Sequence, residues 1–242
     1  MPTIVVKFGT VVLFKHGGFN KAAPQVLQLI REGVHVVVVS SGSIEAGKER
    51  MFELGRNPEE VSDKILASVG SRVLLNKWSD AFAPFTDVGQ LWLTYGNWQD
   101  EGEKTSIERE IQNLLRCSFV PLINENDVVS DAELVQYQLG IGENDRLARM
   151  VAELVRADGA LFLTEAGGVY EGSVLLQELN AETASRISVW ENTSHQSRGG
   201  MQRKIEEALL CRQKGIHTAI AGLTEDSILR FAHGESVGTI IV

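Results

Sequence analysis

The chain has 242 residues, is 43% hydrophobic and 23% charged, and carries a net charge of −9, the composition of a globular protein of one large or two small domains that buries its core without staples. The acidic balance argues against nucleic-acid and anionic-membrane partners, which favour basic surfaces. No apolar run approaches the ~20 residues of a membrane span.

The N-terminus enters a strand directly, with no secretory signal. Strands are predicted in chain order over 3–8, 34–40, 88–94, 118–123, 159–164, 217–222 and 237–242. Helices are predicted over 22–32, 44–55, 59–82, 104–116, 144–156, 199–214 and 225–233. The run Val34 to Val39 is β-branched and apolar on both faces, as a buried parallel strand requires. Pro24 is expected in a first helical turn and Gly33 just past that helix's end. Gly215 is expected to close a helix whose end carries Arg212 and Lys214, which suit the negative pole of the dipole. Residues 128–142 and 167–197 are the least regular and suit hairpins or flaps. The strand–helix alternation predicts an α/β fold, a three-layer αβα sandwich with a largely parallel central sheet.

Four predicted strands run into polar islands. They are Lys7-Phe8-Gly9-Thr10, Ser40-Ser41-Gly42-Ser43, Asn124-Glu125-Asn126-Asp127 and Thr164-Glu165-Ala166-Gly167-Gly168. Open α/β sheets bind ligands outside the carboxyl ends of their strands, so the four islands are expected to form one site.

Each motif has a bland alternative. Lys7 is either an edge lysine that snorkels to water or a phosphate lysine beside a glycine that admits close backbone approach. Gly42 to Lys48 spells G-x-x-x-x-G-K, but Glu49 stands where a P-loop needs Ser or Thr. That segment reads as a glycine-assisted turn, or as a helix N-terminus that binds an anion with Ser41. Gly199-Gly200-Met201-Gln202-Arg203-Lys204 reads as a Gly-rich turn, or as a phosphate site at a helix N-terminus with Lys204 as a second cation. Asn124 to Asp127 and Gly142-Glu143-Asn144-Asp145 are amide–carboxylate clusters of a kind common in turns. Trp78, Trp92, Trp98 and Trp190 read as packing residues, and Cys117 and Cys211 as small core residues on helices. With only two cysteines, neither in a C-x-x-C pair, no disulfide framework is expected, which points to a reducing, cytoplasmic setting. The five histidines show no metal-ligand spacing.

Taken together, these segments resemble the amino-acid kinase superfamily and, within it, the glutamate 5-kinases. The matching stretches are Val5 to Thr10, Ser41 to Gly47, Ala67 to Gly70, Val88 to Thr94, Ile123 to Val129, Gly142 to Asp145, Leu163 to Glu165 and Gly199 to Lys204. They occur in family order and cover nearly the whole chain.

The resemblance implies an αβα kinase fold and transfer of the ATP γ-phosphoryl group to the side-chain carboxylate of L-glutamate, the first step towards proline. It implies that Ser41, Gly42, Asn124, Asp127 and Asn144 hold glutamate. Lys7, Lys204 and Asp145 form the catalytic set, Asp145 orienting the lysines. Lys7, Gly9, Thr164, Glu165, Arg198, Gly199, Gly200, Met201 and Lys204 contact the nucleotide. Mg2+ is expected on the nucleotide phosphates, with no metal ligand from the chain. Proline is implied as a feedback inhibitor, and a homodimer or homotetramer as the assembly. Residues 1–242 are expected to form one kinase domain, its N-terminal part mainly for substrate and about 158–242 mainly for nucleotide, without the C-terminal RNA-binding-like domain of many members. Departures from the family are Glu143 and Glu165 for aspartate, Arg198 for threonine, Ser71 for glutamine and an altered loop after Tyr170. The alternatives are a related kinase of another small carboxylate, phosphonate or phosphate, and a non-catalytic amino-acid sensor.

Overall fold

The computed structural model describes residues 1–15, 17–129, 143–187 and 195–242, with the backbone alone at 143 and 195–199. Expectations that fall on Gly142, Trp190 and the side chain of Arg198 lie outside the described residues.

In chain order the elements are β1 (Thr3–Phe8), α1 (Thr10–Phe14), α2 (Gly18–Arg31), β2 (His35–Ser40), α3 (Ser43–Glu53), α4 (Asp63–Phe82), β3 (Val88–Leu93), α5 (Glu101–Arg116) and β4 (Val120–Glu125). There follow α6 (Glu143–Leu154), β5 (Gly159–Leu163), β6 (Tyr170–Glu171), β7 (Val174–Leu175), β8 (Glu178–Leu179), α7 (Ala181–Arg186), α8 (His195–Gln213), β9 (His217–Ala221), α9 (Ser227–Ala232) and β10 (Thr239–Ile241). Eight strands form one sheet in the order β3-β4-β2-β1-β5-β9-β10-β8. Its pairings are parallel except β10 against β9. β6 and β7 make a separate hairpin, inside the irregular stretch expected to hold one.

Period-2 alternation splits the core into two faces. Val5, Val37, Val39, Ile123 and Phe162 face α5, α6 and α8. Ile4, Val6, Phe8, Val36, Val38 and Leu122 face α2, α4 and α9. The result is the expected three-layer αβα sandwich. Trp78 is fully buried on the second face, and its indole N–H donates to Ser40 Oγ over 3.0 Å.

Some details differ from the expectations. α2 starts at Gly18, so Pro24 lies inside the helix rather than in its first turn. The early start follows from close packing: a Cβ on Gly18 would lie 2.1 Å from Val12 O, so glycine lets α2 fold back onto α1. Cys117 is exposed, at the C-cap of α5. Only Cys211 fits the small-core reading. Gly33 and Gly215 do take the left-handed conformation, at φ 82 and φ 81, just past their helices.

α3 and α4 cross with almost no space between them. A Cβ on Gly70 would fall 1.8 Å from Ser43 O and 2.3 Å from Gly47 N. One on Gly47 would fall 2.1 Å from Leu66 O. Gly47 is therefore spent on helix packing, and Lys48 pairs loosely with Glu45 at 3.8 Å on the surface. The segment that imitates a P-loop is a strand-to-helix turn followed by a helix crossing.

Candidate active site

The ends of β4, β2, β1 and β5 lie side by side in the sheet, so the four polar islands converge. Lys7 lies two residues beyond Val5 and points to the same layer, that of α6 and α8. Its Nζ is 2.9 Å from Asp145 Oδ1, and Lys204 Nζ is 2.7 Å from the same oxygen. One carboxylate from the first turn of α6 thereby ties β1 to α8. All three side chains are buried.

Two ammonium groups against one carboxylate leave this buried centre with excess positive charge. Burial alone would raise the Asp145 carboxyl, but Lys204 and Lys7 overcome it and hold the group below the ordinary carboxylate range. Lys204 moves the other way. Burial, then the like charge of Lys7, bring it down to about 8 against the pull of Asp145. Its ammonium also faces the Phe162 ring, 5.8 Å from the centroid, a cation–π geometry.

Beside this centre the second and third islands lock together. Asn144 Nδ2 donates to Ser41 Oγ over 2.8 Å. Asn124 Nδ2 donates to Ser43 Oγ over 2.6 Å, and Glu125 N donates to Asn124 Oδ1 over 2.9 Å. Gly42, the N-cap of α3, has φ 115, and a Cβ there would meet Phe14 Cε2 at 2.6 Å. Only glycine gives the turn that presents Ser41 towards α6. Asn144 Oδ1 is buried without a hydrogen-bond partner. Such atoms are uncommon, and this one is an open acceptor beside a serine hydroxyl that still has its proton to donate. An amino acid offers a matching ammonium and carboxylate. Glu125 Oε1 is likewise buried and unpartnered. Asp127, two residues past β4, is pushed up to about 6 by burial and then by the charge of Asp63.

At the other end Gly9 N-caps α1. A Cβ there would stand 3.8 Å from Lys7 Nζ and 3.9 Å from Leu163 O. Thr164 N–H donates to Ala221 O over 2.8 Å, which fixes the loop after β5 against the end of β9. Glu165 is half-exposed and pairs with Lys15 at 3.2 Å. Met201 packs on the core face of α8. The start of α8 corrects the sequence reading. The helix begins at His195, a full turn before Gly199, so the N–H groups of Gly199 and Gly200 fall past the four unsatisfied donors of a helix start. The two glycines do not open the helix. Space is open around the Cβ position of Gly200.

A cavity of about 500 Å³ between α5 and α6, lined in part by Trp98, Lys104, Glu108, Arg146 and Met150, includes none of the groups around Asp145. Ser43, Glu125, Asp63 and Lys15 were not singled out from the sequence. Ser43 stood within a quoted island, and Glu125 lay in the Asn-Glu-Asn-Asp run. Lys15 and Asp63 carried no local signal, because their neighbours come from distant segments.

A largely parallel sheet that brings a buried lysine from β1 and another from α8 onto one aspartate of α6, beside the hydroxyl and amide groups at its strand ends, suits a small-molecule phosphotransferase type of site. Residues 2–222 match the model of the amino acid kinase family, and the chain belongs to that family. It is 33% identical to the glutamate 5-kinase of Methanococcoides burtonii, over 99% of this chain and 67% of that protein. It is 32% identical to the glutamate 5-kinase of Dehalococcoides mccartyi, over 98% of this chain and 67% of that protein. Among solved structures, the carbamate kinase from Giardia lamblia bound to AMP-PNP superposes with a TM-score of 0.68 at 14% identity, covering 100% of this chain and 98% of that one. The uridylate kinase from Archaeoglobus fulgidus superposes with a TM-score of 0.61 at 18% identity, covering 99% of each chain. At such identities these two show the fold alone.

Proposed function

We propose that this chain uses ATP to phosphorylate the side-chain carboxylate of L-glutamate, forming γ-glutamyl phosphate in the first step of proline biosynthesis. The observation that carries the reading is Asp145 holding Lys7 and Lys204 together, next to the Ser41–Asn144 pair. The glutamate 5-kinases it resembles at 33% and 32% identity point the same way.

The chemistry asks little of the protein beyond placement and charge. One oxygen of the glutamate γ-carboxylate forms a bond to the γ-phosphorus while the bond from that phosphorus to the oxygen bridging the β-phosphate breaks, releasing ADP. The attacking carboxylate is ionised at neutral pH, so no base removes a proton. Anion must approach anion, so neutralisation and alignment dominate. Lys7 and Lys204 supply fixed positive charge in a buried place, where it acts strongly. Asp145 orients both ammonium groups and touches neither substrate. Ser41, Asn144 and Asp127 hold the amino-acid end, the Asp127 carboxylate taking the ammonium, and Asn124 braces Ser43 at the start of α3. Gly9, Thr164, Gly200 and Met201 line the nucleotide side, with Arg198 and Gly199 beside them and Glu165 at the rim rather than in contact. The N-terminal part thus serves mainly glutamate and residues from about 158 onward mainly ATP. Mg2+ carried on the nucleotide phosphates would supply further charge neutralisation.

Proline carries the same ammonium and carboxylate as glutamate and is proposed as a competitive inhibitor at the Ser41–Asn144 end. A homo-oligomer working in the cytoplasm completes the proposal. The cytoplasm is supported by two free cysteines, one exposed and one buried. Purified protein with MgATP should release ADP on addition of L-glutamate, and hydroxylamine should trap a γ-glutamyl hydroxamate. Glutamate-independent ADP release with no trapped product refutes the reading. A panel of other small acids, run alongside, tests the related-kinase alternative.

A further inference from the structure

Lys15 follows α1, and Glu165 follows β5 by two residues. Their side chains meet at 3.2 Å although 150 residues separate them. The contact stands at the rim of the site. A Cβ on Gly9 would stand within 4 Å of both Lys7 Nζ and Leu163 O, and Glu165 is two residues beyond that carbonyl. On the kinase reading, a phosphate chain held by Lys7 and Lys204 would leave the buried centre between Gly9 and Thr164 and pass Glu165, whose carboxylate would oppose it in a chain whose net charge is already −9.

We propose that Lys15 is a charge-compensating positioning residue of the nucleotide site, which acts through Glu165 by cancelling its charge where the polyphosphate passes. This inference rests on the kinase reading only in placing the nucleotide beside Thr164. A charge-cancelling role and a purely structural latch predict opposite signs at Glu165. If the pair merely ties two loops together, losing either partner weakens nucleotide binding. If Lys15 cancels Glu165, losing Lys15 weakens binding, losing Glu165 does not, and losing both restores it. Both side chains are more than half exposed, at 58% and 53%, so the effect is that of a solvent-screened pair, at most about fivefold. It should vanish near 1 M salt, where the Debye length is ~3 Å.

The experiment is calorimetric titration of MgADP into the wild-type chain, Lys15→Met, Lys15→Arg, Glu165→Gln and the Lys15→Met/Glu165→Gln double variant, at low and high salt. A glutamate-dependent ADP-release assay accompanies it. The expected result is a dissociation constant raised about three- to fivefold in Lys15→Met alone, restored in the double variant and in Lys15→Arg, and equalised by salt. The KM for MgATP should follow, while the KM for glutamate moves less. An unchanged nucleotide affinity in Lys15→Met, or a double variant as weak as that single one, overturns the inference. If the wild type binds MgADP but transfers nothing to glutamate while its affinity tracks Lys15, the kinase reading fails and the inference stands. If transfer occurs and Lys15 is silent, the reverse holds.

Discussion

Gly70→Ala adds one uncharged methyl group, yet it should damage the glutamate side. The new Cβ would lie 1.8 Å from Ser43 O and 2.3 Å from Gly47 N. Both are backbone atoms, so no side-chain rotation relieves the clash, and the start of α3 must retreat by more than about 1 Å to restore ordinary contact. Alanine gains about 1 kcal/mol over glycine in a helix, whereas overpacking typically costs 1–3 kcal/mol. The net effect is a modest loss of stability. The functional loss should be larger. α3 begins at Ser43, whose Oγ takes the 2.6 Å hydrogen bond from Asn124, and Ser41 just before it takes the 2.8 Å one from Asn144. A shift of that size breaks both, and a misplacement of ~1 Å is enough to cost about 10²-fold in rate. Urea denaturation gives the stability term, and ADP release titrated with glutamate gives the catalytic one. A Gly70→Ala variant with wild-type stability and wild-type glutamate kinetics would refute the claim that the α3–α4 crossing sets the substrate loop.

Lys204→Met should lower turnover by at least ~10²-fold, the scale of one lost electrostatic stabiliser, and stay folded because Asp145 keeps Lys7. Near-normal turnover would remove Lys204 from the reaction. Asp145→Asn leaves two buried ammonium groups without their anion and should cost about 3–5 kcal/mol of stability, less as pH rises, because Lys204, whose pKa of about 8 depends on Asp145, gives up its proton more readily without it. An unchanged urea midpoint at neutral pH would count against it. Asp127, raised to about 6 by burial and Asp63, should attract the substrate ammonium as a carboxylate above that pH and fail to do so as the neutral acid below it. The glutamate KM should therefore rise as pH falls through about 6, and Asp63→Asn should move the inflection lower. The same raised pKa makes ionised Asp127 a cost to the unliganded fold, absent below the ordinary carboxylate pKa and fully present above about 6. A flat KM–pH profile would exclude Asp127 from the amino-acid end.

The strands and their ends were legible because parallel strands buried on both faces spell continuous apolar runs, and polar residues can interrupt them only where the sheet meets the cleft. The same alternation that buries Val5 aims Lys7 at α6. What could not be read depends on contacts between distant segments. Gly47 looked like part of a phosphate loop, and Gly70 like a family signature without a stated task. Only their mutual approach shows that both permit a helix crossing. Pro24 pointed to a helix start, but the fold of α2 back onto α1 at Gly18 moved that start earlier. The glycines at 199 and 200 suggested the opening of α8, whose first residue is His195.

That last difference bears on how the site handles phosphate. With Gly199 and Gly200 inside the helix, their amides are committed to helical hydrogen bonds. The positive charge available at the centre is then chiefly that of two buried lysines, and a cation depressed to about 8 is only partly reliable at slightly alkaline pH. That value already includes the pull of Asp145, one oxygen of which lies 2.9 and 2.7 Å from the two nitrogens. An incoming polyphosphate adds more negative charge and raises the Lys204 pKa. Nucleotide binding and protonation of Lys204 are therefore coupled. MgADP affinity should fall as pH rises above about 8, and binding should take up protons there. Calorimetry in buffers of different ionisation enthalpy reads that uptake directly. Proton-neutral binding at pH 8 would show that Lys204 is fully charged in the free protein and that Asp145 merely holds it in place.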